Sequence, residues 1–165
     1  MKLTKYSQVM LAGLLILWVS ATAKAETVQA TDFTLKSQSG DNLRLAEMRG
    51  NIVLINFWAS WCAPCRKELP YLEEIQQEFQ DLGFTVLAVN IDEDSAKANN
   101  LLSDIPVSFP VVLDPTGKVS KLYEVAAMPT TVFIDRDGNQ RLIHPGYKQG
   151  DEQKYRKIIK TLIRE

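Results

Sequence analysis

Cys62 and Cys65 are the only thiols in the 165-residue chain, and they stand three apart in Trp61-Cys62-Ala63-Pro64-Cys65-Arg66. A bridge between them closes so small a loop that it constrains the unfolded chain very little. Such a pair is better suited to opening and closing than to stapling a fold. The chemistry it offers is thiol–disulfide exchange: one thiolate attacks a disulfide sulfur, and the second thiol resolves the mixed disulfide. Other uses of the same residues fit less well. A zinc site needs about four ligands, and His144, the single histidine, adds only a third to the two cysteines. Covalent haem attachment needs a histidine directly after the second cysteine, where Arg66 stands. A peroxidase of related fold is expected to carry Pro and Thr or Ser seven and three residues before its reactive cysteine; Ile55 and Ala59 occupy those places. No metal and no cofactor is expected.

The elements that must position this pair can be read from the pattern around it. Ile52-Val53-Leu54-Ile55-Asn56-Phe57-Trp58 is apolar and β-branched with one polar member, the signature of a strand buried on both faces. Pro64 to Phe79 reads as a helix, with Leu69, Leu72, Ile75 and Phe79 at three- and four-residue steps and Pro70 expected to kink it. Cys62 therefore falls between a buried strand and a helix start. Free N–H groups and the helix dipole favour negative charge there, which is expected to lower the thiol pKa below its usual value of about 8.5. Pro64 suits the first helical turn because it lacks only an N–H that has no partner there. Cys65, one step further in, is expected to be the less exposed thiol.

The remaining pattern completes one domain. Asp32–Leu35 and Asn42–Leu45 flank Ser39-Gly40-Asp41 as an N-terminal β-hairpin. Phe84–Val89 reads as a second buried strand, and Asp94–Leu102 as a short helix capped by Asp94 or Ser95. Phe109–Leu113 reads as a strand and Val119–Tyr123 as a helical turn or two. Thr130–Ile134 and Gln140–Ile143 form a late hairpin around Gly138. Asp151–Arg164 is a helix whose buried face holds Tyr155, Ile158, Ile159, Leu162 and Ile163. This order predicts an α/β fold, with a mixed central sheet, helices on both faces and the hairpin at its N-terminus.

Residues 1–25 differ from the rest. Lys2 and Lys5 precede an apolar run from Val9 to Val19, and Ala23-Lys24-Ala25 places small residues where a signal peptidase reads. The run is short of the roughly 20 residues of a membrane span. A cleaved signal is expected, with an uncleaved anchor, extended by Ser20 to Ala23, as the alternative. The domain then covers residues 26–165. The formal charge of −1 and the lack of a basic stripe exclude nucleic acid as the default partner.

Phe57 to Cys65 resembles the active-site segment of the thioredoxin superfamily. Pro70 matches the kinking proline of that family's helix, and Met128-Pro129-Thr130-Thr131 resembles its cis-proline loop. The early hairpin, Val86-Leu87-Ala88-Val89-Asn90 and Phe109-Pro110-Val111-Val112-Leu113-Asp114 resemble the TlpA/ResA branch, made of exported or membrane-tethered disulfide reductases, many tied to cytochrome c maturation. The resemblance implies a thioredoxin-like fold and roles for single residues. Cys62 is the nucleophile and Cys65 the resolving thiol. Trp61, Ala63, Pro64, Met128 and Pro129 meet the substrate, with Pro129 cis and the Met128 backbone pairing with the partner's chain as an added strand. Asn56 replaces a buried Asp that assists proton transfer in thioredoxin and cannot titrate. Glu68, three residues past Cys65 and on the same helix face, can take that role or be an ordinary solvated helix acid. Trp58 fits the core as readily as the site, and His144 reads as a surface or turn residue. Expected partners are exported proteins with disulfides and a membrane thiol protein that donates electrons.

The motif does not set the direction of exchange. The expected function is reduction of disulfides in exported proteins, with a dithiol oxidase or a non-catalytic peptide-binding module as alternatives, and the reduction potential is the measurement that separates the first two.

Overall fold

The computed structural model describes residues 28–165; the expected signal or anchor at 1–25 lies outside them. The elements are β1 (Thr34–Ser37), β2 (Asn42–Arg44), β3 (Ile52–Trp58), α1 (Ala63–Phe79), β4 (Phe84–Asn90), α2 (Ser95–Asp104), β5 (Val111–Leu113), α3 (Lys118–Leu122), β6 (Thr130–Ile134), β7 (Gln140–Pro145) and α4 (Asp151–Arg164). They build one seven-stranded sheet in the order β2-β1-β5-β4-β3-β6-β7. β3 runs parallel to β4, from Ile52 beside Phe84 to Trp58 beside Asn90, and antiparallel to β6, from Val53 beside Ile134 to Phe57 beside Thr130. The expected mixed sheet, thioredoxin-like in arrangement, is what forms.

The alternation of β3 divides the core. Ile52, Leu54 and Trp58 face one side, where they meet Leu69, Leu72, Ile75 and Phe79 of α1, Ala98 and Leu102 of α2, and Tyr155, Ile159 and Leu162 of α4. Val53, Ile55 and Phe57 face the other, against Phe33, Leu45, Val119 and Tyr123. Successive side chains of a strand alternate between faces, so Asn56 shares the α1 and α4 side with Leu54 and Trp58. Each fully buried Leu, Ile or Phe of the α1 stripe contributes about 1.5–3 kcal/mol through burial.

Several boundaries differ from expectation, for identifiable reasons. β1 begins at Thr34 rather than Asp32, because the Asp32 carboxylate is engaged by Arg44 Nε at 2.7 Å and by the N–H of Ala46 at 2.9 Å. β5 is confined to Val111–Leu113; Pro110 precedes it and has no N–H to give to a ladder. β7 extends to Pro145 because it pairs along β6 as far as Thr130. On α4, Ile158 and Ile163 are half-buried at the margin of the core rather than within it. The cap of α2 is Asp94, whose Oδ1 accepts the N–H of Ala96 at 3.0 Å. Gly83 has φ 74°, left-handed backbone that favours glycine, and it turns the chain from the 3-10 segment Gln80–Leu82 into β4.

Among the described residues, no helix is long and apolar enough to cross a membrane.

Candidate active site

β3 ends at Trp58, and Ala59-Ser60-Trp61 carries the chain to Cys62, the residue that caps α1. The cap is built from sulfur: Cys62 Sγ accepts the N–H of Cys65 at 3.2 Å, while Cys62 N–H is held by the Ala59 carbonyl at 3.1 Å. Pro64 lies in the first turn as expected. The two cysteines are joined as a disulfide, with Cα atoms 5.3 Å apart. Cys65 is 0% exposed and Cys62 5%, so the inner and outer positions of the pair follow the expected order. A helix N-terminus at Cys62 can stabilise the thiolate that forms when the bridge opens.

A buried carboxylate holds the approach to Cys62. Asp92, just after β4, accepts both the N–H and the hydroxyl of Ser60 at 2.9 Å each, and Asn90 Nδ2 at 2.7 Å. Ile91 N–H adds a bond to the Trp58 carbonyl at 3.0 Å. The loop before Cys62 is thus tied to the end of β4. Trp61, by contrast, is 64% exposed and stands on the surface beside Cys62 in sequence. Trp58 is fully buried in the core.

The antiparallel register brings the second segment to the same end of the sheet. Thr130 pairs with Phe57, so Met128 and Pro129 reach the level where β3 gives way to the Cys62 loop. The Met128–Pro129 peptide bond is cis, as expected. The Pro129 carbonyl accepts Gly146 N–H at 2.6 Å and Thr130 Oγ1 donates to the Ala127 carbonyl at 2.7 Å. Ala63 and Pro64 are exposed, and they border an open groove of about 810 Å³ that continues past Lys67 and Tyr71 to Tyr147 and Lys148.

Glu68 is not a solvated helix acid. It is 1% exposed, on the face of α1 that also buries Cys65, Leu69 and Leu72. Asn56 Nδ2 donates to its Oε2 at 2.8 Å, and Tyr155 Oη and Thr131 Oγ1 donate to its Oε1 at 2.9 and 3.4 Å. Burial pushes its pKa up to about 7, against the pull of these three hydrogen bonds and with a smaller upward push from Asp151. A carboxyl that changes protonation near neutrality can pass protons in either direction. Asn56, which cannot titrate, instead orients the acid that can.

The local sequence does not mark Asp92, Thr131 or the Tyr155 hydroxyl as site groups. Tyr155 falls on the apolar stripe of α4, and nothing in the local pattern marks Asp92. The lone polar Asn56 in an otherwise apolar strand was the available signal, since a buried amide needs partners. His144 lies half-buried on β7, its Nε2 3.1 Å from Asp151 Oδ2 and its ring edge-on to Tyr155. Among the described residues no group of His, Cys, Asp and Glu could hold a metal ion.

Comparison with known proteins agrees with this geometry. The thiol–disulfide oxidoreductases ResA of Bacillus subtilis and Geobacillus thermodenitrificans are 36% and 37% identical over 69% and 76% of this chain, and the matches span 64% and 72% of those relatives' lengths. A solved structure from Chlorobium tepidum, provisionally named a thiol:disulfide interchange protein DsbE, is 36% identical with a TM-score of 0.81, covering 83% of this chain and 96% of that one. Residues 27–143 match the profile described as the AhpC/TSA family. With a cysteine-capped helix, a cis-proline loop and these relatives, the chain belongs to the AhpC/TSA family of thioredoxin-like redox enzymes, in the branch of the thiol–disulfide oxidoreductases.

Proposed function

We propose that the protein is an extracytoplasmic dithiol–disulfide exchange enzyme that reduces disulfides in exported proteins, with residues 1–25 as its signal or anchor and 26–165 as its thioredoxin-like domain. The observation that carries the reading is the Cys62–Cys65 bridge at the start of α1, with Cys62 as the capping residue.

The reaction follows from that geometry. In the reduced protein, the Cys62 thiolate attacks one sulfur of a partner's disulfide. A mixed disulfide forms and the partner's other sulfur leaves as a thiolate, which takes up a proton. Cys65 loses its proton to the buried Glu68 carboxylate and attacks Cys62 Sγ. The Cys62–Cys65 bond forms, the partner's second thiolate departs, and the proton follows it. The partner gains two electrons and two protons; the Cys pair gives up two electrons and the Cys65 proton, the second proton coming from the solvent that took the Cys62 proton when its thiolate formed. Trp61, Ala63, Pro64, Met128 and Pro129 supply the contact surface, with the Met128 backbone pairing with the partner's extended chain. A membrane thiol protein then returns the pair to the dithiol. Apocytochrome c, whose haem-binding cysteines must be reduced, is one substrate that suits this chemistry, and the family resemblance favours it.

Equilibrating the protein with glutathione or dithiothreitol buffers tests the direction. A potential below about −200 mV supports a reductase; one near the −120 mV typical of strong oxidants overturns that direction in favour of disulfide insertion.

A further inference from the structure

The three hydrogen bonds to Glu68 come from three elements far apart in sequence: Asn56 on β3, Thr131 on β6 and Tyr155 on α4. They are not chemically alike. Asn56 Nδ2, on Oε2, can only donate. On Oε1 the partners are two hydroxyls, each able to donate to a carboxylate or accept from a protonated carboxyl. Thr131 Oγ1 already accepts from Asn56 Nδ2 at 3.1 Å, and its approach to Glu68 is long at 3.4 Å. Tyr155 Oη, at 2.9 Å, is the close partner able to reverse.

The ring that carries this hydroxyl is fixed independently. Tyr155 is buried and packs edge-on against both Phe133 and His144, with ring centroids 5.4 Å apart in each pair. The hydroxyl is therefore delivered to Oε1 by packing that does not depend on Glu68.

We propose that Tyr155 is a positioning residue for the exchange reaction: its hydroxyl holds Oε1 of Glu68 and reverses its hydrogen bond there as Glu68 takes up and returns a proton. This rests on the assignment of proton exchange to Glu68. The charged and titratable groups facing Glu68 are Tyr155 and Asp151 from α4, Tyr147 from the loop before it, and Cys65 one turn back on α1; His144 is held by Asp151 against Tyr155. Asp151 and Tyr147 give no hydrogen bond to Glu68, so the Tyr155 hydroxyl can be removed without disturbing them directly. Burial, with Glu68 beside it, raises the Tyr155 pKa well above its usual value, so the hydroxyl keeps its proton throughout the working range.

The test uses the full chain with carbon-13-labelled glutamate. In the oxidised protein neither cysteine titrates, and the Glu68 carboxyl resonance is followed against pH in wild type and Tyr155→Phe. Removing one donor to a charged group is expected to move the Glu68 midpoint up by about one pH unit. In the reduced protein, the pH profile of disulfide reduction is expected to move the same way, and Tyr155→Phe added to Glu68→Gln is expected to change nothing further. Superimposable carboxyl curves for wild type and Tyr155→Phe overturn the proposal, as does an equal slowing by Tyr155→Phe with and without Glu68. If Glu68→Gln alone leaves the exchange profile unmoved while the carboxyl curve still shifts, it is the proton-exchange role of Glu68 that fails.

Discussion

Ser60 gives both its backbone N–H and its hydroxyl to the buried carboxylate of Asp92, at 2.9 Å each. This one residue pair ties the loop that presents Trp61 and Cys62 to the end of β4, and Asn90 completes the acceptor's coordination at 2.7 Å. A buried hydrogen bond to a charged group contributes about 1.5–3 kcal/mol, and stranding its donors costs more. Asp92→Ala is therefore expected to lower stability by about 2–4 kcal/mol in chemical denaturation. It is also expected to reduce the disulfide-exchange rate beyond what the lost stability explains, because the Cys62 loop is no longer held. Asp92→Asn, which keeps an acceptor for Ser60, should recover part of both. An Asp92→Ala protein with wild-type exchange kinetics below its unfolding midpoint would show that the tie is structural only.

Cys62 is expected to be the one thiol of the reduced, folded protein that alkylates quickly near neutral pH. It caps α1, whereas Cys65 lies inside the first turn and is fully covered. Rates of iodoacetamide modification against pH in Cys62→Ala and Cys65→Ala separate the two thiols. Equal reactivity of the two would remove the basis for calling Cys62 the nucleophile.

Cys65→Ala should accumulate mixed disulfides with partner proteins in cells, since the thiol that releases them is gone. Non-reducing gels followed by mass spectrometry identify the partners in the same experiment. Adducts that form equally on Cys62→Ala would reverse the order of attack.

The parts of this site that were legible in the sequence are those carried by one short segment. The run Ile52–Trp58, the Cys pair and the stripe Leu69, Leu72, Ile75 and Phe79 specify strand, loop and helix locally, and Met128-Pro129 marked the cis-proline loop by resemblance. What was not legible is what needs the tertiary register. Glu68 could be read as a surface acid because helical spacing puts it near Cys65 without saying whether that face is covered. It is covered because β3 directs Asn56, Leu54 and Trp58 toward α1, and because α4 brings Tyr155 over the same spot. The Asp92 tie was invisible for a similar reason: its partner is 32 residues earlier. β1 starts at Thr34, two residues later than the apolar–polar alternation predicts, and the Asp32 carboxylate engages Arg44 and the Ala46 N–H, contacts that the alternation does not reveal.

Glu68 also leaves a signature in stability that does not involve turnover. Its folded-state pKa is raised to about 7 from the ordinary value of 4.5, first of all by burial. Between those two pH values the folded protein retains a proton that the unfolded chain has released. Stability must then fall as pH rises across that window. The contribution is fully present below about pH 4.5 and lost above about pH 7, with an upper limit near 3 kcal/mol from the size of the shift. Glu68→Gln keeps the volume and hydrogen-bonding atoms of the neutral acid and has no charge to bury. The other titrating groups are common to both proteins, so the difference in unfolding free energy between wild type and Glu68→Gln isolates this one carboxyl. Urea unfolding of the oxidised proteins at several pH values measures it. Relative to Glu68→Gln, wild type is expected to lose stability between about pH 4.5 and about pH 7 and to hold a constant difference on either side of that window. A constant difference across the range would mean that Glu68 carries its charge in the folded protein as easily as in water, which would require its three hydrogen bonds to offset its burial completely.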